Sequence, residues 1–395
     1  MKKRIIYGII AIFLLVVGLF SHFKINNKKE SETANVSKID LDIDCTSAYL
    51  IEESSKKVIY AKDEIRKLHP ASMTKMMGLL LVCEAIDKNE IKLEDMVSIS
   101  SDAAKMGGSQ VFLEPLEMIS VDELLKCVCI ASANDAMYAL SELVGTTNAN
   151  FVNMMNEKAK SLELVKTNFV NVTGFDDDNH YTCAVDMATI ALELLKYKDL
   201  ILKYTSMYDG YIRENTNKPF WLVNTNKMVK FYQGMDGLKT GFTSKAGFCL
   251  TSTATRNNIR LVSVIMNSKT SKLRNEATKK LLDYGFSKVK SYKIYNKDDV
   301  ICNIKINKAK NESYDIITNK DINLITLEEF SRDLLLKEIK LNDIKAPLKA
   351  NDVVGKLIIK MPNQESATFD LVVKDDVELL EFKDLFIDYF NELLM

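Results

Sequence analysis

Ser72-Met73-Thr74-Lys75 opens a stretch that is apolar on every side: Met76, Met77, Leu79, Leu80, Leu81 and Val82 leave no polar face before Ile86. A helix without a polar face belongs at the centre of a domain. Pro70 suits the start of that helix, so Ser72 falls in its first turn. Lys75 lies one turn on and faces the same way. The pattern thus delivers a hydroxyl and an amine side by side into a domain interior, where a partly desolvated lysine is a base able to activate a serine. A chain of 395 residues, 47% hydrophobic and 27% charged, is long enough for such a core and for a second domain.

Ser-x-x-Lys recurs at Ser54/Lys57 and Ser287/Lys290, so the tetrapeptide alone selects nothing. Its company does. Ser132-Ala133-Asn134 and then Lys239-Thr240-Gly241 follow it, the order of the three active-site motifs of penicillin-interacting serine enzymes. The flanks extend the match: Pro70-Ala71 before Ser72, Ala131 and Asp135-Ala136 around the second motif, Gly237-Leu238 and Phe242-Thr243 around the third, and Ala246-Gly247-Phe248 beyond it. His180, Asp186, Asn224-Thr225-Asn226, Arg274 and Leu281-Leu282-Asp283-Tyr284-Gly285-Phe286 also fit. On these residues the chain resembles the D-alanyl-D-alanine carboxypeptidases, the low-molecular-weight penicillin-binding proteins, closely over residues 41–287 and more loosely over 290–375.

The resemblance implies an α+β fold. A catalytic domain over 41–287, like that of penicillin-binding proteins and β-lactamases, would combine an antiparallel sheet flanked by helices with a helical subdomain. A small β-rich domain would follow over 288–375. The residue patterns agree. Ser47–Ile51 and Val58–Tyr60 read as a hairpin, Lys239-Thr240, Phe248–Ala254 and Ile259–Met266 as strands, and 121–145, 150–162 and Ala184–Tyr197 as helices. Ser132 is expected in an exposing loop, and Arg274–Tyr284 as a helix capped by Gly285. After Lys288 short β-like runs dominate (Val300–Ile304, Val353–Ile359, Ala367–Val373), with helical signal only around 327–337.

The ends differ from the rest. Lys2-Lys3-Arg4 precedes an apolar run from Ile5 to Phe20, so residues 1–23 read as a signal peptide or an N-terminal membrane anchor, and polar 24–40 as a linker. Either reading leaves the rest of the chain outside, on the outer face of the cytoplasmic membrane or in the cell-wall space. Residues 376–395 read as an amphipathic helix with an acidic polar face, one that lies on a membrane or docks on protein.

By resemblance the reaction is acyl transfer. Ser72 is the nucleophile, Lys75 its base, and Ser132 the relay of the proton to the leaving amine. Asn134 holds the substrate backbone and the Lys75 side chain. Lys239 and Thr240 bind the terminal carboxylate, and Gly241 admits the substrate backbone. The N–H groups of Ser72 and Phe242 form the oxyanion hole. Arg274 either joins the carboxylate site or caps and pairs on the surface, and His180 is expected to be structural. Cys183 stands where the family tends to have a small hydroxyl residue. The implied partners are peptidoglycan stem peptides, β-lactam antibiotics and the membrane, with no cofactor.

Other classes fit less well. A net charge of −1 gives no footing for nucleic acid. Three histidines exclude a His-rich metal site, and the seven cysteines show neither zinc-ligand nor disulfide-framework spacing. For a Ser-His-Asp hydrolase the chain lacks the Gly-x-Ser-x-Gly elbow. For a class A β-lactamase it has Ser-Ala-Asn in place of Ser-Asp-Asn and no Glu-x-x-Leu-Asn after Ser132 to supply the deacylating carboxylate. A non-catalytic penicillin sensor is distinguished from an enzyme only by turnover.

Overall fold

The computed structural model describes residues 41–363 and 365–383. Residues 1–23, read as signal peptide or anchor, and 24–40, read as a linker, therefore lie outside the described residues, as does most of the segment 376–395. The chain divides into two units at Ser287/Lys288.

The first unit is built on a five-stranded antiparallel sheet in the order Val58–Lys62, Ser47–Glu52, Ile259–Ser268, Gly247–Arg256, Met235–Thr243. The strand that carries the Lys239 motif is thus an edge. Deep in the sheet, Ser252 and Ser263 satisfy each other across the strands at 2.7 Å, as buried hydroxyls must. The helix Ser271–Lys288 runs on through Gly285 rather than ending there. A Cβ at Gly285 would stand 2.6 Å from Leu261 Cδ1 and 2.7 Å from Leu50 Cδ2, so this glycine serves close packing on the sheet and not a cap.

The helix Lys75–Asp87 is buried along most of its length, within one apolar cluster with helices Asn134–Gly145, Asn148–Ser161 and Ala184–Leu194. Gly78 lets it approach the helix Asn134–Gly145: a Cβ there would meet the Met137 side chain at 2.7 Å. The helical spacing over 121–145 resolves into three pieces. An α-helix Val121–Lys126, capped by the Ser120 hydroxyl accepting from the Glu123 N–H, passes into a π-helical turn Cys127–Ala131, and a new helix begins at Asn134. Ser132 sits in the break at φ 62°.

The second unit carries a five-stranded sheet in the order Val300–Ile304, Tyr314–Ile317, Ser366–Val373, Val353–Lys360, Leu336–Leu341, and a ribbon of Lys290–Tyr295 with Ile322–Thr326. Ile316, Leu324, Leu357, Ile359, Leu371 and Val373 fill its core. Two sequence readings change here. Residues 327–337 hold only a short 3-10 turn, Arg332–Leu334, because Leu336 already pairs with Lys360 as the start of an edge strand. Residues 376–381 are not helical: Val377 is buried and bridges to Leu348, and Leu379 bridges to Ala309, so the first apolar residues of the expected amphipathic face are used by this unit. Among the described residues no helix is long and apolar enough to cross a membrane.

Candidate active site

Ser72 lies in a 3-10 turn, Ala71–Thr74, that feeds directly into the helix beginning at Lys75. The geometry is tight. Ala71 adopts φ 48°, a left-handed conformation rare for a residue with a side chain. Gly174 presses against it: a Cβ on that glycine would lie 1.8 Å from the Ala71 carbonyl oxygen. Gly241 packs on the same turn, where a Cβ would come within 2.8 Å of the Pro70 oxygen. The missing side chain of Gly241 thus makes room for the turn that bears Ser72.

Lys75 is fully buried and donates to Ser72 Oγ at 3.0 Å and to the Thr173 carbonyl at 2.9 Å. Burial pushes its pKa well below the ordinary lysine value, the charge of Lys239 adds to the fall, and Asp135 opposes it. Asn134 does not take the Lys75 contact expected of it. Its Nδ2 donates to the Gly107 carbonyl at 2.7 Å, which fixes the orientation of the amide, and its buried Oδ1 has no partner among the described residues. The lysine turns instead to a backbone carbonyl, an acceptor that costs no second charge.

Ser132 is 4% exposed, so the break in the helix buries it rather than exposing it. Its left-handed backbone follows the π turn, and its N–H returns to the Cys127 carbonyl. The neighbouring Asp135 carboxylate, fully buried, accepts from the N–H groups of Val111, Leu113 and Ala136 and so ties the segment 111–113 to this turn.

Lys239 is 1% exposed, and among the described residues Nζ reaches only the Thr240 carbonyl, at 3.2 Å. Burial lowers its pKa to about 7; the Cys129 thiol works against the fall and the Arg274 charge adds to it. Thr240 donates to Thr225 Oγ1 at 2.8 Å, and the Thr225 N–H bonds the Ile130 carbonyl, which links the Lys239 strand to the Ser132 turn. Thr225 is presented by its neighbours: Asn224 Nδ2 donates to the carbonyls of Thr205 and Met207, and Asn226 Nδ2 to that of Gly237. Arg274 is buried, not a surface residue, and donates to Asn275 Oδ1; burial brings its pKa down to about 10. Among the described residues none of Lys75, Lys239 and Arg274 has a carboxylate within ion-pair distance. Phe242 is exposed and stacks on Phe248 with ring centres 4.2 Å apart.

The Ser-x-x-Lys serines at 54 and 287 lie elsewhere. Ser54 occupies a hairpin turn and bonds the Glu52 carboxylate, and Ser287 bonds the Tyr284 carbonyl at the end of a helix. The seven cysteines are free thiols, six of them buried. Among the described residues no group of His, Cys, Asp and Glu could hold a metal ion. Sequence reasoning missed Thr173, Gly174 and Asp135, whose contacts join segments far apart in the chain. Gly174, a lone glycine after Asn171-Val172-Thr173, was the one local signal.

The wider comparisons agree with this geometry. The sequence model of a family described as D-alanyl-D-alanine carboxypeptidase matches residues 30–270, and that of the C-terminal domain of penicillin-binding protein 5 matches residues 290–379. The chain is 41% identical to the D-alanyl-D-alanine carboxypeptidase DacF of Bacillus subtilis over 97% of its own length and 96% of the relative's. Among solved structures it is similar to penicillin-binding protein 5 of Haemophilus influenzae (29% identity, TM-score 0.66, covering 85% of this chain and 98% of that one). It is also similar to a peptidoglycan synthesis regulatory factor, PBP3, of Streptococcus pneumoniae (27% identity, TM-score 0.71, 85% and 100%). The chain belongs to the D-alanyl-D-alanine carboxypeptidase family.

Proposed function

We propose that the protein is a serine-type D-Ala-D-Ala carboxypeptidase that removes the last D-alanine from peptidoglycan pentapeptide stems through an acyl-enzyme, and that β-lactams acylate the same serine. The 3.0 Å contact between buried Lys75 and Ser72 Oγ carries this reading. Burial favours neutral Lys75, which takes the Ser72 proton as Oγ attacks the carbonyl between the two D-alanines. The N–H groups of Ser72 and Phe242 hold the oxyanion. Ser132 passes the proton to the leaving amine, and water then cleaves the ester.

Buried Lys239 and Arg274, which among the described residues have no carboxylate partner, support binding of the substrate's terminal carboxylate, with Thr240 on the same strand as Lys239. The unpartnered Oδ1 of Asn134 suits a substrate N–H. The deciding experiment is D-alanine release from a pentapeptide ending in D-Ala-D-Ala. Acylation by penicillin without such release would make the protein a sensor.

The reading extends to location. The basic and apolar residues 1–23 support export to the outer face of the cytoplasmic membrane, as signal peptide or anchor, with 24–40 as tether. A second membrane contact by the acidic-faced C-terminal segment would rest on apolar burial against charge repulsion, so it should strengthen with salt. Vesicle sedimentation of the chain from Ser31, with and without residues 384–395, tests it; equal partitioning leaves the N-terminus as sole attachment.

A further inference from the structure

Ser72 is followed two residues later by Thr74, whose hydroxyl does not face the substrate side. Thr74 is fully buried, and Oγ1 donates to the Ala71 carbonyl at 2.8 Å. Its own acceptor position is filled from behind by His180, whose Nε2 lies 2.7 Å away. The tautomer follows from the other ring nitrogen. The Val170 N–H points at Nδ1 from 3.0 Å, so Nδ1 carries the lone pair and Nε2 the proton. The ring is 1% exposed, is packed edge-on against Phe169, and is tethered through its own carbonyl to His69 Nδ1 at 3.1 Å. These contacts form one directed chain from His180 Nε2–H through the Thr74 hydroxyl to the Ala71 carbonyl. That carbonyl belongs to the planar peptide whose opposite edge is the Ser72 N–H.

We infer that His180 and Thr74 are positioning residues of the oxyanion hole: the buried relay fixes and polarises the Ala71–Ser72 peptide and so aims the Ser72 N–H at the developing oxyanion. The inference rests on the reading of Ser72 N–H as an oxyanion donor. Two features of the site need such a device. Ala71 holds a left-handed backbone that a residue with a Cβ leaves readily unless its surroundings over-determine it. Gly174 packs against the peptide, its missing Cβ falling 1.8 Å from the Ala71 oxygen and 2.9 Å from the Ser72 nitrogen, and makes no hydrogen bond that would aim it. The relay holds the same carbonyl by a directed hydrogen bond. Hydrogen bonds that point in one sense along a chain strengthen one another in a low-dielectric interior, so the effect reaches the last donor as well as its direction. Burial lowers the His180 pKa to about 4, which keeps Nδ1 an acceptor for Val170.

The experiment measures the acylation rate of Ser72 by a penicillin in the full chain, and the ester carbonyl stretch of the acyl-enzyme by infrared difference spectroscopy. Thr74→Val keeps the bulk and removes the relay. It should lower the acylation rate roughly tenfold to hundredfold, the scale of losing or misaiming one oxyanion donor. The ester stretch should move to higher wavenumber and kcat should fall with little change in KM. Thr74→Ser should restore most of the rate and the original frequency. His180→Gln should move both readouts the same way by less, and it carries the test if Thr74→Val does not fold. An unchanged carbonyl frequency in Thr74→Val and His180→Gln overturns the relay, whatever happens to rate or melting temperature. A wild-type chain that is not acylated at Ser72 overturns the carboxypeptidase reading instead, and the relay with it.

Discussion

The lysines of the β-rich unit and the two motif lysines of the catalytic unit stand in opposite settings. In the β-rich unit the lysines stand at the surface, and many meet a carboxylate: Lys290 with Glu329 at 3.0 Å, Lys293 with Asp321 at 3.0 Å, Lys349 with Asp376 at 2.8 Å, Lys360 with Glu338 at 2.9 Å. In the catalytic unit Lys75 and Lys239 are buried beside Arg274, and among the described residues none of the three has an acidic partner. An exposed pair gains little because water screens it, whereas a buried cation without a partner costs several kcal/mol. The depressed pKa values of Lys75 and Lys239 are that cost in another form. A fold that carries it without adding a carboxylate leaves the compensation to a ligand, and the ligand that suits is an anion.

The largest expected effect breaks or upholds this contrast at its centre. Ser72→Ala should abolish both D-alanine release and covalent labelling by a fluorescent penicillin. Ser54→Ala and Ser287→Ala should leave both intact, since those hydroxyls are spent on Glu52 and on the Tyr284 carbonyl. Labelling that survives Ser72→Ala and vanishes in either of the others would move the site. Next in size, Lys239→Ala should cost about 3 kcal/mol in kcat/KM, as expected for losing a charged contact in a water-poor site. A substrate amidated at its C-terminus should be poor for the wild type and lose little more in the variant. Equal activity on acid and amide would detach Lys239 from the carboxylate.

Much of this site was legible from the chain, and the reason is local. Ser72 and Lys75 are neighbours by helical spacing alone, and the order of the three motifs selects this Ser-x-x-Lys over the others in the chain. What was not legible comes from contacts across the sequence. The Thr173 carbonyl that receives Lys75 and the His180 ring behind Thr74 each join segments about a hundred residues away. Asn134 was expected on Lys75, but its amide is claimed by Gly107. Periodicity also fails at single-residue insertions. The π turn Cys127–Ala131 keeps the apolar pattern of 121–145 while breaking the helix at Ser132. Residues 376–381 show the same limit: Val377 and Leu379 suit a helical face as well as the β-bridges they form, and tertiary pairing decides.

A buried neutral histidine gives the catalytic unit a source of acid-sensitive stability. The His180 pKa falls from 6.5 to about 4 on folding, because burial disfavours the charged ring. Between those values the unfolded chain binds a proton that the folded one refuses, so stability drops as pH falls from 6.5 towards 4. The full difference is about 3 kcal/mol. Denaturation of wild type and His180→Gln at pH 7 and pH 4.5 should show the steeper loss in wild type; parallel curves would mean the ring is charged when folded.

Lys239 predicts a subtler linkage. With a pKa of about 7 in the empty site, it is mostly neutral at pH 8, and a carboxylate placed beside it restores the charge. Binding of a D-Ala-D-Ala peptide to Ser72→Ala at pH 8 should therefore take up about one proton, falling towards none at pH 6. Calorimetry in two buffers of different ionisation enthalpy measures this. Uptake that persists in Lys239→Ala would assign the proton to another group.

The smallest expected effect tests the other side of the contrast. Lys349 Nζ lies 2.8 Å from Asp376, as short as any ion pair in the β-rich unit. Its side chain is 82% exposed and that of Asp376 is 53% exposed. The attraction raises the lysine pKa and lowers that of the carboxylate, the reverse of the shift at Lys239. Both partners keep most of their water, so removing one leaves the other solvated rather than stranded. Asp376 also keeps the Ala350 N–H as a donor. Lys349→Ala should therefore leave the melting temperature and kcat/KM at wild-type values. A drop in melting temperature that disappears in high salt would show that short distance alone makes a surface pair matter here. The buried cations would then differ from the exposed ones in degree, and burial would lose its standing as the mark of the functional lysines.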